Sequence, residues 1–325
     1  MMENKVGVKI KKKFKQFFSM IVRRRVTQER LDRCKLVMTL LVKNEADVIR
    51  QNIEFHLRQG VDFIVATDNV STDGTYEILQ EYEEKGVLYL IEEKSQDYDQ
   101  AAWVNRMGKI ACERFGANLI FHCDADEFWF PKNGNLKLDL LSQPFVDIFE
   151  IEVKNVLLKD QELQEEFPDD ALYVVSNPIF SNDIKEDSKN TPFFLFRYPP
   201  KVMYKIPGFY LDVGPGNHRV VDRKQYVSKA SENIIIYHFP VRGRKCFFDK
   251  VIQGGAALEK NTTFDENAGW HWRRWYALYK EGCLDAEYKK LNLSGDSVKE
   301  WIHKGVVVEQ PALVGDLGLG KVKSD

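Results

Sequence analysis

The chain has 325 residues, 44% hydrophobic and 12% aromatic, which is enough apolar material for a large core and excludes a collagen-like or wholly disordered chain. Net charge is −2, but nine of the 47 basic residues and a single acid, Glu3, fall within residues 1–26, leaving 38 basic against 48 acidic residues in the rest. A body this acidic argues against nucleic acid as a partner.

Residues 5–25 carry Ile10, Phe14, Phe17, Phe18 and Ile21 at helical spacing among lysines and arginines. That pattern predicts a basic amphipathic helix suited to an anionic membrane surface. Leu36–Val42 then reads as a buried strand and 46–59 as a helix stopped by Gly60. Strands over 61–67, 87–91 and 119–123 alternate with helices over 74–82 and 100–115. Such alternation implies a parallel sheet with helical crossovers. Beyond it, 145–158 alternates as a strand with one wet face. Residues 159–170 read as an acidic loop and 181–191 as a mobile insertion. Short strands are expected at 173–175, 193–196, 202–204 and 234–237, helices from Cys246 onward, and a loosely ordered tail from Pro311. The expected organisation is an N-terminal segment over 1–30, an α/β domain over 31–245 and a helical extension over 246–325.

The five cysteines (Cys34, Cys112, Cys123, Cys246 and Cys283) are widely spaced with no CxxC, which fits buried thiols in a reducing compartment. No apolar run reaches the roughly 18–20 residues of a membrane span, and no signal-peptide core is visible. A cytoplasmic protein, peripheral at the inner membrane face, is expected.

The chemistry concentrates where the predicted strands end. The fourth runs straight into Asp124-Ala125-Asp126-Glu127. In an open α/β sheet, ligands bind beyond the carboxyl ends of the strands. Two carboxylates spaced as Asp-x-Asp suit a hard divalent ion, Mn²⁺ or Mg²⁺, which also grips phosphate. Asn44-Glu45 follows the first strand and Asp68-Asn69 the second, again at carboxyl ends. Asp73 can equally cap the next helix.

The order Val42-Lys43-Asn44-Glu45, His56 to Gly60, Asp68-Asn69-Val70-Ser71-Thr72-Asp73-Gly74-Thr75 and Asp124-Ala125-Asp126-Glu127 resembles family 2-like glycosyltransferases of the GT-A fold. The likeness is firm over about 34–131 and looser through Gly216-Asn217-His218-Arg219 and His238-Phe239-Pro240 to Trp270–Trp275. It implies a GT-A, Rossmann-like nucleotide-sugar-binding domain with a mixed central sheet. It further implies a UDP- or GDP-linked sugar donor and a glycan or lipid-linked acceptor, with inverting, non-processive transfer in capsular, lipopolysaccharide or other cell-surface glycan synthesis. Asn44, Glu45, Asp68, Asn69, Ser71, Asp73 and Asp124 would bind the donor. Asp124 and Asp126 would hold the ion, with His218 or His238 completing it. Transfer to a hydroxyl needs a base, commonly a carboxylate; position offers Asp212 and Glu127. Trp270-His271-Trp272-Arg273-Arg274-Trp275 echoes the Q-x-x-R-W box of processive members with His271 in place of Gln, which argues against polymer synthesis. A second reading is a catalytically silent nucleotide-sugar or glycan-binding module.

Overall fold

The structure is a computed structural model and describes residues 12–18, 25–95, 99–158, 172–260, 269–291, 293 and 295–318. The expected acidic loop at 159–170 and most of the basic segment 5–25 lie outside the described residues. The strands are β1 (Leu36–Val42), β2 (Phe63–Asp68), β3 (Leu88–Glu92), β4 (Leu119–Cys123), β5 (Glu127–Pro131), β6 (Ile148–Leu158), β7 (Leu172–Val175), β8 (Lys201–Lys205), β9 (Ser228–His238) and β10 (Val307–Gln310). The chain divides into two compact units, one of Met1–Lys94, Asp99–Val153 and Pro199–Ile236, the other of Ser95–Tyr98, Lys154–Tyr198 and Tyr237–Asp325.

In the first unit β3, β2, β1 and β4 run parallel, as the alternating sequence requires. β4 then pairs antiparallel with β8, and β8 with the start of β6, which makes the sheet mixed. Helices Ile49–Arg58, Thr75–Glu84 and Gln100–Glu113 form the crossovers. Every residue of β4 is buried, the pattern of a strand covered on both faces. Register sets Val42 opposite Asp68 and Leu40 opposite Cys123, so the polar ends of β1, β2 and β4 share one edge. Val37, Val65, Met107, Ile120 and Tyr204 share one core. Helix Gln100–Glu113 can lie against that core because Gly108 has no side chain: a Cβ there would stand 2.0 Å from the Tyr210 ring.

In the second unit β7 pairs antiparallel with the end of β6 and with β10. Helices Arg244–Lys260, Trp270–Lys280, Leu284–Leu291 and Asp296–His303 supply Phe247, Trp275, Tyr288 and Val298 to its aromatic-rich core. Three sequence expectations are corrected here. Residues 193–196 form a 3₁₀ turn, Phe193–Leu195, behind Pro192. Proline fixes φ there and removes a ladder donor, while Asn155 Nδ2 donates to the Phe194 carbonyl. Residues 181–191 contain a capped turn, Ile184–Asp187, followed by a fully buried Ser188. Ser188 is held by Arg274 Nη1, 2.8 Å from its Oγ, and by Lys290 Nζ, 2.8 Å from its carbonyl. Within the expected loose tail, Leu313–Leu317 forms a helix that buries Leu313, Val314 and Leu317, while 319–325 lie outside the described residues.

Candidate active site at the carboxyl edge of the sheet

Two loops form one side of this edge, and they are stitched together. Asn44 Oδ1 accepts from the Thr72 amide at 2.8 Å, and the Asn44 amide donates to Ser71 Oγ at 2.9 Å. Asp73 takes the amides of Ala46 and Thr75, each at 3.0 Å. Asn69 Nδ2 donates to the Glu93 carbonyl at 3.1 Å. Asn44, Asn69, Ser71 and Asp73 thus spend polar groups on building the wall of the site. The Glu45 amide is tied to Thr75 Oγ1 at 2.8 Å, which fixes the backbone that carries its carboxylate.

Asp68 differs. Its Oδ2 accepts from the Ser71 amide at 3.0 Å, but its Oδ1 is buried and has no partner. Burial raises its pKa, and Ser71 opposes that rise. A buried acceptor left unmet costs about 1–3 kcal/mol. Beside it Val70, a β-branched residue, is held at φ 55° and is 46% exposed. Such backbone strain concentrates at functional sites.

The acid cluster is held from beneath by a residue that carries no motif signal. Asn52 is fully buried on helix Ile49–Arg58 and donates from Nδ2 to the carbonyls of Ala125 (2.9 Å) and Glu127 (2.8 Å). One turn later, His56 Nδ1 donates to the Asn52 carbonyl at 2.8 Å, and its Nε2 accepts from the Trp129 amide at 3.2 Å. Burial pushes His56 down to about 3, so it is a neutral structural ring. His122, just before the acids, is likewise neutral, pushed down to about 3 chiefly by burial and bonded to Thr39 and Tyr204.

The second unanticipated residue is Lys201 at the start of β8. Its Nζ lies 2.6 Å from Asp124 Oδ2 and 2.7 Å from Glu127 Oε1. The lysine side chain is 5% exposed and that of Glu127 3%, whereas that of Asp124 is 39% exposed. Burial disfavours the ammonium, but Asp124 and Glu127 outweigh it and hold Lys201 protonated, above the ordinary lysine range. Burial pushes Glu127 up to about 8, against the pull of Lys201. Glu127 is therefore an enclosed partner of Lys201 and does not face solvent.

Asp212 is half exposed and 3.6 Å from Lys109. It lines a cavity of ≈ 610 Å³ with Asn105, Arg106, Lys109 and Val221. Arg106 Nη1 pairs with Glu93 at 2.8 Å.

Asp124, Asp126 and His218 belong to the same unit and suit a divalent ion in type. His218 Nδ1 donates to the Pro200 carbonyl at 3.1 Å, and burial lowers its pKa, which leaves a neutral ring with its lone pair on Nε2. A carbonyl that accepts from the far ring nitrogen orients metal-ligating imidazoles in the same way. Gly216 makes room for that ring, since a Cβ there would come within 2.7 Å of Nε2. Among the described residues no three His, Cys, Asp or Glu side chains are gathered into a metal-binding group. His238 lies in the second unit, where its Nδ1 donates to Asn155 Oδ1 at 2.7 Å.

A sequence model of glycosyltransferase family 92 matches residues 37–189, a span that holds β1 through β7 and the whole acid cluster. Comparison with curated proteins finds no match. Among solved structures, the 1–349 fragment of S. aureus TarS is similar at 15% identity and TM-score 0.39, over 71% of this chain and 67% of that one. The same fragment in complex with UDP-GlcNAc is similar at 14% identity and TM-score 0.39, over 71% and 68%. Glucosyl-3-phosphoglycerate synthase from Mycobacterium tuberculosis, in complex with Mn²⁺, UDP and phosphoglyceric acid, is similar at 14% identity and TM-score 0.29, over 41% of this chain and 49% of that one. The family match and the mixed α/β sheet define the class: an enzyme, a glycosyltransferase built on a mixed α/β sheet. The motif order had pointed to family 2, whereas the matching model is that of family 92; both lead to this same coarser class.

Proposed function

We propose that this enzyme transfers a sugar from a nucleotide-diphospho-sugar to an acceptor hydroxyl at the carboxyl edge of the sheet. The observation that carries the reading is Asp68 Oδ1, a buried carboxylate oxygen with no partner, on the same sheet edge as Asp124 and Asp126. A ribose hydroxyl or a base N–H of a bound nucleotide would satisfy it. Glu45 and Asn69, at the ends of the same strands, would add to the donor contact. Asp124, Asp126 and His218 would hold Mn²⁺ or Mg²⁺, which when bound supplies positive charge to the leaving diphosphate. In the reaction the bond from the anomeric carbon to the diphosphate oxygen breaks. The acceptor oxygen bonds to that carbon, and its proton passes to a carboxylate. Asp212 suits this role better than Glu127, because it is open to solvent and Glu127 is enclosed with Lys201. Inversion, non-processive action and a place in cell-surface glycan synthesis complete the reading.

The Trp-rich box supports non-processive action. Trp275 is 1% exposed and donates from Nε1 to Glu287 Oε1 at 3.1 Å, and Arg274 bonds Ser188 and Glu287. These residues therefore build the core of the second unit.

Action at a cytoplasmic membrane face draws support from residues 12–18. This stretch is helical and tied down by Lys15 to Asp147 (2.9 Å) and by Phe18 against Phe145, and it leaves Phe14 60% and Phe17 63% exposed. No helix among the described residues is long and apolar enough to cross a membrane. The test of function is a panel of nucleotide sugars assayed for hydrolysis and transfer with the parent enzyme and Asp68→Asn. Tight UDP or GDP binding without turnover on any acceptor would favour the silent binding module.

A further inference from the structure

Lys201 is the buried group that this reading leaves without a task. Three carboxyl groups, Asp124, Asp126 and Glu127, cluster here, and Lys201 is the ammonium set against them. The lysine engages two of the three. On Asp124 it takes one carboxylate oxygen at 2.6 Å, and that side chain is part-exposed.

We infer that Lys201 is a positioning residue that keeps the acid cluster from closing on a divalent ion until the donor's diphosphate arrives. Its ammonium pins Asp124 and Glu127 together and opposes a second cation nearby. The bare site is then a poor ion trap. A diphosphate adds oxygen ligands and negative charge, which offset the repulsion from Lys201, so ion and donor bind together. The chemistry of the pair supports this order. A carboxylate whose inner oxygen is already engaged by an ammonium is a weaker metal ligand than a free one, and like charges repel strongly where water is excluded. The inference rests on the metal in the proposed function, and its test separates the two.

The experiment titrates the full chain with Mn²⁺ and follows free Mn²⁺ by electron paramagnetic resonance, with and without UDP. The parent enzyme should bind Mn²⁺ weakly alone and at least tenfold more tightly with UDP. Lys201→Met should bind Mn²⁺ without UDP at least tenfold more tightly than the parent, and UDP should add little. Lys201→Arg keeps the charge and should behave as the parent does. Since Lys201→Met leaves Glu127 buried without its partner, the double variant Lys201→Met/Glu127→Gln frees Asp124 without that burden and should show the same tightening. Lys137→Met removes a lysine of similar burial from Asp62, 2.6 Å away. It lowers the net charge equally and should leave Mn²⁺ affinity unchanged. A merely structural lysine would weaken Mn²⁺ binding when removed. The inference is overturned if both Lys201→Met variants bind Mn²⁺ no more tightly than the parent, or if Lys137→Met tightens it as much. Absence of Mn²⁺ binding by every variant, with and without UDP, removes the metal from the proposed function and this inference with it.

Discussion

Asn52→Ala is the substitution whose effect follows most closely from the geometry. Its Nδ2 lies 2.9 Å from the Ala125 carbonyl and 2.8 Å from that of Glu127, with Asp124 O further away at 3.4 Å. The residue is fully buried, so water does not replace the amide without rearrangement. Two such bonds contribute about 1 kcal/mol each net, and stranding their buried carbonyls costs more, at least about 1 kcal/mol for each. A loss of about 3–4 kcal/mol is expected, read by urea unfolding followed through tryptophan fluorescence. The same amide holds the backbone that carries Asp124 and Asp126, so UDP affinity measured by calorimetry should fall about tenfold or more, the scale of one lost 1.4 kcal/mol of positioning. A loss below about 1 kcal/mol with unchanged UDP affinity would show that the loop stands without Asn52, and would refute the reasoning.

Further expectations concern the core and the base. His56 and His122 are pushed down to about 3 and His271 to about 4 by burial. Because the folded values lie below the unfolded one, the unfolded chain binds more protons as pH falls, and stability is lost on acidification from about 6.5 downward. Each ring should cost about 2 kcal/mol by pH 5; equal unfolding midpoints at pH 7 and pH 5 would contradict this. Gly108→Ala would favour the helix by about 1 kcal/mol in propensity, but its Cβ would meet Tyr210 at 2.0 Å. The clash should win and lower stability by about 1–3 kcal/mol, so a rise in melting temperature would count against the close packing. Asp212→Asn should lower kcat with little change in donor KM; an unchanged kcat would remove Asp212 as the base.

The parallel half of the sheet was legible because β1, β2 and β4 are buried runs of largely apolar residues bounded by turn chemistry and separated by helices. The acid cluster was legible because it follows such a run without a gap. Two supports of the site were not. Lys201 meets Asp124 across 77 positions, and Asn52 reaches Ala125 across 73, so neither leaves a local pattern. Phe193–Leu195 looked like a strand because its residues are apolar; Pro192 and the pull of an aromatic core decided otherwise. β5 escaped notice because Glu127 and Pro131 bracket only three apolar residues, too few to carry a period of two.

The most direct test of the central claim is turnover of UDP- and GDP-sugars with Mn²⁺ by the parent enzyme, Asp126→Asn and Asp68→Asn. The account predicts that at least one donor is hydrolysed or transferred. Asp126→Asn should abolish turnover, and Asp68→Asn should raise the donor KM. Equal turnover in all three proteins would contradict it, because the carboxyl edge of the sheet would then not be where the donor is held.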